Sequence, residues 1–280
     1  KCDFVICRLP SFLGERAFYV AKRLNKKILI ELVGCPHDAY RHHGSLIGRL
    51  LAPVEKYKLK HILSEAKHTV YVTKYFLQER YPTSGDSIDI SNVELLPFES
   101  QNSDIPCNKE KPFKISFIGS LNAKYKGLTD LILAIAKINS PFIELHILGS
   151  GDKEQYMELA RKLGIYNQLT FYKTIAGGKP VLEWLSQFDL YIQPSHTEGL
   201  PRALIEAMSV GLPCIGSRVG VIPELLSKDS LFKAKDSDEL SKKIELFMND
   251  MAFRQEQSEL NLLTSKDYFL EILSAKRAMF

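Results

Sequence analysis

Residues 190–216 read LYIQPSHTEGLPRALIEAMSVGLPCIG: a short apolar run, a polar loop, a helical segment and a second apolar run. A run of about four residues that is mostly apolar, bounded by polar segments, is typical of a strand buried on both faces of a sheet. The loop contains Gly199 and places Pro201 near the first helical position, where proline is favoured. This stretch predicts a β-α-β unit of a parallel sheet covered by helices.

The same alternation continues on both sides of this stretch. We predict parallel strands at 115–119, 143–148, 169–172, 190–193 and 213–216, with a helix after each of them. Shorter apolar runs at 4–7, 28–33 and 69–73 predict a second sheet, and residues 82–112 are rich in proline and small polar residues, as in a linker. The predicted fold is α/β, with two Rossmann-like domains built on parallel sheets covered by helices. The predicted boundaries are 1–99 for the first domain, 100–112 for the linker, 113–263 for the second domain and 264–280 for a C-terminal helix that crosses back to the first.

The composition is that of an ordinary globular protein. The chain has 280 residues, of which 45% are hydrophobic and 25% are charged, and no apolar run is long enough to span a membrane. The five cysteines are an odd number without a C-x-x-C pair, so we expect reduced thiols and a cytoplasmic protein. His37, His42 and His43 form a cluster that no second group at ligand spacing completes, so we expect no metal site.

The net charge of +4 is concentrated in residues 41–60. Five basic residues there face only Glu55, and apolar residues are interleaved with them. Such a segment fits a peripheral contact with the inner face of an anionic membrane, and it also fits an ordinary amphipathic surface helix, which we favour on this pattern alone. The charge is small and no nucleic-acid-binding motif is present, so we expect no nucleic-acid partner.

Two carboxylates, Glu198 and Glu206, flank the predicted helix start at Pro201. A helix N-terminus has unpaired N–H groups and a partial positive charge, which suit a phosphate. Carboxylates repel phosphate but accept hydrogen bonds from sugar hydroxyls, so the arrangement suits a nucleotide-sugar. Taken alone, the pair is better explained as one surface carboxylate and one carboxylate on a helix face.

Two further loops follow strands predicted to end at the same edge of the sheet. Residues 119–127 read GSLNAKYKG and include Lys126, whose ammonium group can balance a diphosphate without a metal. A solvated surface lysine is the alternative. Residues 149–152 read GSGD, which fits contact with a base or ribose and equally fits a plain turn before a helix.

Residues 115–226 carry a series of motifs in a fixed order. They are FIG at 117–119 with KG at 126–127, ILGSG at 147–151, YIQPS at 191–195, EGLPRALIEAM at 198–208, GLP at 211–213 and VGVIPE at 219–224. Together they resemble the C-terminal domain of GT-B glycosyltransferases, specifically the retaining group called glycosyltransferase family 4. The resemblance implies transfer of a sugar from a UDP- or GDP-linked donor to a hydroxyl of a glycan or lipid-linked acceptor. It also implies retention of the anomeric configuration, with no divalent metal and no cofactor.

The resemblance assigns roles to individual residues. It implies that Glu198 contacts the transferred sugar, that Glu206 contacts the nucleotide ribose and that Lys126 holds the diphosphate. The predicted donor-binding residues are Gly119, Ser120, Lys126, Gly149, Lys173, Glu198, Gly199, Leu200, Pro201, Arg202 and Glu206. The predicted catalytic residues are Glu198, Lys126 and His37. The leaving phosphate is expected to take the acceptor proton.

Residues 1–99 resemble the latter half of the family's N-terminal domain. The domain is therefore predicted to be incomplete, with about 80–100 residues missing before it. His37 and Asp38 would face the acceptor; the alternative is a loop histidine followed by an aspartate that caps a helix.

Two positions depart from the family pattern. Ser120 replaces an arginine, so one diphosphate contact is missing unless Lys124 or Arg202 replaces it. Val221 replaces a second glycine and is expected to crowd a backbone approach.

Three functions remain open at this point. The first is the retaining glycosyltransferase described above. The second is a non-catalytic nucleotide-sugar-binding or partner subunit, or an inactive truncation, and the two departures favour it. The third is a glycosidase that uses Glu198 and Glu206 as acid and nucleophile, but it leaves Lys126 without a role.

Overall fold

The computed structural model describes residues 2–41, 45–98 and 111–280. His42, His43, Cys107 and most of the predicted linker at 100–112 lie outside the described residues. The chain forms two compact units, one made of Lys1–Glu94 with Glu271–Phe280 and the other of Leu95–Leu270. Among the described residues, no helix combines the length and apolar character that crossing a membrane requires.

The first unit is built on a four-stranded parallel sheet with the strand order β1-β2-β3-β4. Its elements are β1 (Phe4–Leu9), α1 (Phe12–Arg23), β2 (Lys27–Leu32), α2 (Pro36–Arg41), α3 (Leu46–Ser64), β3 (His68–Tyr71), α4 (Phe76–Arg80) and β4 (Asp86–Asp89). Helices α1 and α3 begin after Ser11 and Ser45, whose hydroxyls accept hydrogen bonds from backbone N–H groups three residues later. These caps satisfy one of the unpaired N–H groups at the start of each helix.

The second unit is built on a six-stranded parallel sheet with the order β10-β9-β8-β5-β6-β7. Its elements are β5 (Phe113–Ile118), α5 (Leu128–Ile138), β6 (Ile143–Leu148), α6 (Glu154–Lys162), β7 (Leu169–Tyr172), α7 (Lys179–Leu185), β8 (Leu190–Gln193), α8 (Arg202–Ser209), β9 (Cys214–Ser217), α9 (Ile222–Leu225), β10 (Leu231–Phe232), α10 (Ser237–Asn249) and α11 (Met251–Ser265). The central strands contribute fully buried isoleucines to the core, such as Ile115, Ile147 and Ile192. The predicted fold class is confirmed in both units.

The strand order of the second unit determines where a ligand fits. The chain runs from β5 outward to β7 and then returns to place β8 on the other side of β5. The loops after β5 and β8 therefore leave the sheet in opposite directions. Ligands of such sheets bind in the crevice that opens between these two loops at the carboxyl ends of the strands.

The structure differs from the prediction in two segments. The region 82–112 contains a strand, β4, that forms because its backbone pairs with β3. The single helix predicted over 264–280 is divided, because α11 ends at Ser265 and α12 (Leu270–Met279) begins only after an extended residue, Phe269. The break occurs where the backbone of Leu95 donates to Tyr268 and accepts from Leu270, at 2.9 and 3.0 Å. Such a parallel bridge is incompatible with a continuous helix.

Candidate functional site

All of the predicted donor-binding residues lie at or beyond the carboxyl ends of strands in the second unit. Gly119, Ser120 and Lys126 follow β5, Gly149 follows β6, Lys173 follows β7, and Glu198, Gly199, Leu200, Pro201, Arg202 and Glu206 follow β8. Because all six strands are parallel, these loops share one edge of the sheet. The candidate donor site is this edge.

The centre of the site is an ion pair between the loops after β5 and β8. The Lys126 ammonium nitrogen lies 2.6 Å from Oε1 of Glu198, and their side chains are 22% and 8% exposed. The two residues are 72 positions apart in the sequence and follow β5 and β8, the neighbouring strands between which the strand order reverses. The fold thus places an amine and a carboxylate at the point where a ligand is expected.

Two more side chains donate to the same carboxylate oxygen. Gln193 Nε2 lies 2.8 Å and Ser195 Oγ lies 3.1 Å from Oε1 of Glu198. The hydroxyl of Tyr191 in turn donates to Oε1 of Gln193 at 2.6 Å. Sequence analysis did not assign these residues to the site. The signal that was available is the presence of polar side chains at alternate positions in a buried strand.

Two glycines allow the loops of the site to touch. Gly127 has a φ of +75°, and a Cβ there would lie 1.9 Å from the carbonyl oxygen of Pro194. Gly220 has a φ of +54°, and a Cβ there would lie 2.0 Å from the carbonyl oxygen of Glu198. Only glycine fits both the left-handed conformation and the close approach. These contacts hold the loops after β5, β8 and β9 together around the ion pair.

A second bond joins the loop after β8 to helix α5. His196 Nε2 lies 2.5 Å from Oδ2 of Asp130, and the backbone N–H of His196 donates to the carbonyl of Tyr125 at 2.7 Å. Both side chains are mostly buried. The pair ties the segment before Glu198 to the first turn of the helix that follows Lys126, and sequence analysis missed it.

Glu206 lies on α8, beyond the loop that carries Glu198. It is only 7% exposed, and its Oε1 lies 4.0 Å from the Arg202 guanidinium. Burial raises the pKa of Glu206, while the charge of Arg202 opposes the rise. Pro201 is the N-cap residue of α8, and its side chain has no group that could cap the helix. The side chains of Glu206 and Glu198 are not bonded to each other. Both carboxylate charges instead add to the rise in the pKa of Tyr191 that burial causes.

The loops after β5 and β6 approach each other along the same edge, and the backbone N–H of Gly149 donates to the carbonyl of Tyr172 at the end of β7 at 3.4 Å. The backbone N–H of Leu121 donates to Ser150 at 2.8 Å, and a Cβ at Gly149 would lie 1.9 Å from the carbonyl oxygen of Gly119. Ser120 and Lys173 are exposed. These loops extend the site from the ion pair toward β7.

The two departures from the family pattern have different structural contexts. Ser120 is exposed, and Lys124, one of the two predicted substitutes for the missing arginine, is exposed in the same loop. Val221 is fully buried and has a φ of −87°, an ordinary helical value. The expected crowding at Val221 is therefore not seen, because the position that requires glycine in this turn is Gly220.

His37 and Asp38, the predicted acceptor-side residues, belong to the first unit. They lie in the first turn of α2, so Asp38 is not a capping residue. His37 Nδ1 lies 3.0 Å from Oδ1 of Asp38, and Arg80 donates to the other carboxylate oxygen. Burial alone would raise the pKa of Asp38, but the bonds from His37 and Arg80 outweigh it and hold that pKa below its usual value.

Cys35, His37 and Asp38 form the one group in the described residues whose ligand atoms, all within 4.8 Å of one another, could surround a metal ion. The Arg80 guanidinium already donates to Cys35 Sγ at 3.1 Å and to Asp38. A divalent ion would have to displace this cation. We therefore interpret the cluster as an ion-pair network of the first unit.

The sequence of this chain is similar to those of known proteins. The family model for glycosyl transferases group 1 matches residues 99–261. Protein CapJ of Staphylococcus aureus is 36% identical over 280 residues, which cover 99% of this chain and 71% of CapJ. The chain belongs to the glycosyl transferases group 1 family. It is a glycosyltransferase, and the predicted family is confirmed.

Solved structures show the same fold over the whole of this glycosyltransferase. Sucrose-phosphate synthase from Thermosynechococcus elongatus matches with a TM-score of 0.78 and 17% identity, covering 99% of this chain and 72% of that one. Anabaena HepE in complex with UDP and glucose matches with a TM-score of 0.75 and 16% identity, covering 99% and 77%. Identities this low show the fold alone, and that fold is GT-B.

Proposed function

We propose that this glycosyltransferase moves a sugar from a UDP- or GDP-linked donor to a hydroxyl of a glycan or lipid-linked acceptor, with retention of configuration and without a metal. The observation that carries the proposal is the 2.6 Å separation between Lys126 Nζ and Glu198 Oε1. In a nucleotide-sugar the sugar and the diphosphate share one bond. An amine for the phosphate and a carboxylate for the sugar hydroxyls must therefore be neighbours, as they are in this site.

The positive groups of the site support departure of the diphosphate without a metal. Lys126 lies in the loop after β5, and Arg202 opens α8, whose N-terminal N–H groups face the same edge. Charge that develops on a leaving phosphate is stabilised by such preorganised donors. Pairing with Lys126 also reduces the repulsion between Glu198 and the donor phosphates. Glu206 supplies an acceptor for ribose hydroxyls.

The proposed transfer reaction needs no base from the protein. The acceptor oxygen forms a bond to the anomeric carbon while the bond from that carbon to the phosphate oxygen breaks on the same face. The acceptor proton passes to the departing phosphate oxygen. We assign His37 and Asp38 to orientation of the acceptor hydroxyl, since their mutual bond and Arg80 fix both side chains.

The remaining assignments concern the nucleotide base and the acceptor. The loop at Gly149 and the exposed Lys173 are assigned to the base, and the complex of HepE with UDP and glucose supports a nucleotide-sugar donor. A lipid-linked acceptor and a peripheral membrane contact are supported by residues 41–60. The first turns of α3 in this segment expose Leu46, Ile47 and Leu50 beside the basic Arg49.

The proposal is tested by Lys126→Ala and Glu198→Ala. We expect each change to reduce kcat/KM for sugar transfer by about tenfold or more, because each removes contacts to the reacting part of the donor. Lys162→Ala and Glu158→Ala, at exposed positions on α6, are the matched controls. Wild-type turnover by either site variant would defeat the assignment.

Two further measurements test the finer parts of the proposal. NMR of the initial product should show the anomeric configuration of the donor, and addition of a chelator should leave the rate unchanged. An inverted product would contradict retention. A rate that falls on chelation and returns with a divalent ion would contradict metal independence. Tight donor binding without turnover would favour a non-catalytic role instead.

A further inference from the structure

Strand β8 carries a chain of polar side chains through the interior of the second unit. Tyr191 and Gln193 on β8, a central strand of the sheet, and Ser195 just beyond its end are at most 1% exposed. Burying a polar group destabilises the folded protein unless the hydrogen bonds of that group are satisfied. The chain they form ends on Oε1 of Glu198.

The amide of Gln193 can face Glu198 in only one orientation. The Tyr191 hydroxyl donates to Gln193 Oε1 at 2.6 Å, and Gln193 Nε2 donates to both Glu198 Oε1 and Ser195 Oγ at 2.8 Å. A rotated amide would place its carbonyl oxygen against a carboxylate and its NH₂ against a hydroxyl that has to turn away. Tyr191 and Glu198 together therefore determine which way the amide points.

Tyr191 is a dependable donor. Burial raises the pKa of Tyr191 well above its ordinary value, and the charges of the neighbouring carboxylates raise it further. The phenol consequently keeps its proton at neutral pH. Its one proton is committed to Gln193.

The described residues leave one oxygen of Glu198 open. The hydrogen bonds that reach this carboxylate from the described part of the chain all end on Oε1. The bonds to Oε1 fix the orientation of the whole carboxylate and therefore the direction in which Oε2 points. Oε2 is available to accept a hydrogen bond from a hydroxyl of a bound sugar. Three donors on one oxygen hold a carboxylate in a single orientation better than one donor does.

We propose that Gln193 is a positioning residue, oriented by Tyr191, that holds the Glu198 carboxylate so that Oε2 faces the transferred sugar. The inference rests on the proposed function, because it takes Glu198 to be the residue that contacts that sugar. It predicts that Gln193 acts on the sugar and not on the nucleotide.

The test compares binding of a nucleotide-sugar with binding of its nucleoside diphosphate, by calorimetry. UDP-glucose with UDP, and GDP-mannose with GDP, are the probes, and the pair that binds the wild-type protein is used. We expect Gln193→Leu to weaken the nucleotide-sugar by about tenfold while the nucleoside diphosphate stays within about twofold, since only the sugar contact is lost. The kcat of transfer should fall as well.

Tyr191→Phe is the second variant, because it removes only the hydroxyl and keeps the buried ring. It should also weaken binding of the nucleotide-sugar relative to the nucleoside diphosphate, but by a smaller factor than Gln193→Leu. Tyr71→Phe is the matched control, since the hydroxyl of this buried tyrosine donates to the backbone of Tyr81 in the first unit. The control should leave both affinities unchanged.

The outcomes separate this inference from the proposed function. Wild-type affinities in both site variants, or equal losses for the sugar-linked and sugar-free ligands, overturn the positioning role and leave the proposed function intact. If the wild-type protein binds neither of the nucleotide-sugars and neither UDP nor GDP, the proposed function is rejected and the inference with it. If Gln193→Leu does not fold, the result of Tyr191→Phe decides.

Discussion

At the scale of single residues, Glu206 is a buried carboxyl group whose charged form is disfavoured by burial. Its pKa is raised from the ordinary value of 4.5 by burial. The free energy of unfolding should therefore fall as the pH rises through the interval between 4.5 and the raised value, because ionisation is harder in the folded state. We expect Glu206→Gln to be more stable than the natural protein at pH 7, and we expect that gain to vanish at pH 4.

Denaturant unfolding at the two pH values measures this prediction, and nucleoside diphosphate binding measures its functional side. The Gln variant should bind the nucleoside diphosphate about tenfold more weakly, because a charged hydrogen-bond acceptor for the ribose is lost. Glu158→Gln, at an exposed position on α6, should change neither quantity. A Glu206→Gln variant that is less stable at pH 7 would show that the carboxylate is structural.

At the scale of single elements, α3 presents a face that the first unit leaves uncovered. Leu46, Ile47 and Leu50 are 76%, 71% and 76% exposed, whereas the buried side of the helix includes Ala52 and Leu59. Exposed apolar residues interleaved with basic ones fit the headgroup region of an anionic bilayer. We expect Leu50→Ser to weaken binding to vesicles that contain anionic lipid by about tenfold, the effect of withdrawing one large apolar side chain.

The matched control for this helix is Leu263→Ser, which changes a leucine on α11 that is 63% exposed. It should bind the vesicles as the natural protein does. Binding should also weaken with added salt and be much lower on vesicles of neutral lipid alone. Equal losses in the two variants, or no binding by the natural protein, would reject the membrane contact.

At the scale of the whole molecule, the candidate donor site lies within one unit. The donor-binding candidates all fall in Leu95–Leu270, which has its own core and sheet. We expect residues 95–270, produced alone, to fold cooperatively and to bind the nucleoside diphosphate. At a hundredfold excess over its dissociation constant, the ligand should raise the free energy of unfolding by about 2.7 kcal/mol.

The informative comparison is with residues 113–263, the domain that the sequence predicts. This shorter piece lacks Leu95 and the buried Tyr268, whose backbones pair at 2.9 Å. It should therefore unfold at a lower temperature than residues 95–270. Equal stability would mean that the bridge at Leu95 contributes little, and an unfolded 95–270 would mean that the unit depends on the rest of the chain.

Much of the fold was predictable because it is encoded in short segments. The strands at 143–148, 169–172 and 190–193 have the predicted bounds, since an apolar run is a local property of the sequence. The loops that carry Lys126 and Glu198 were also predictable, because parallel strands put their carboxyl ends at one edge. Lys126 and Glu198 are 72 positions apart in the sequence and form an ion pair. The rule for parallel strands predicts that they lie at the same edge, but it does not predict the distance between them.

The sequence by itself determined the α/β class, the edge at which a ligand fits and the residue types available there. The tertiary structure alone decided that β4 forms, that the C-terminal segment breaks at Phe269, and that Gln193 donates to Glu198. Each of these depends on a partner supplied by another part of the fold. Hydrogen bonds are directional and short, so a pattern along the chain cannot reveal them until the fold has brought both groups within reach.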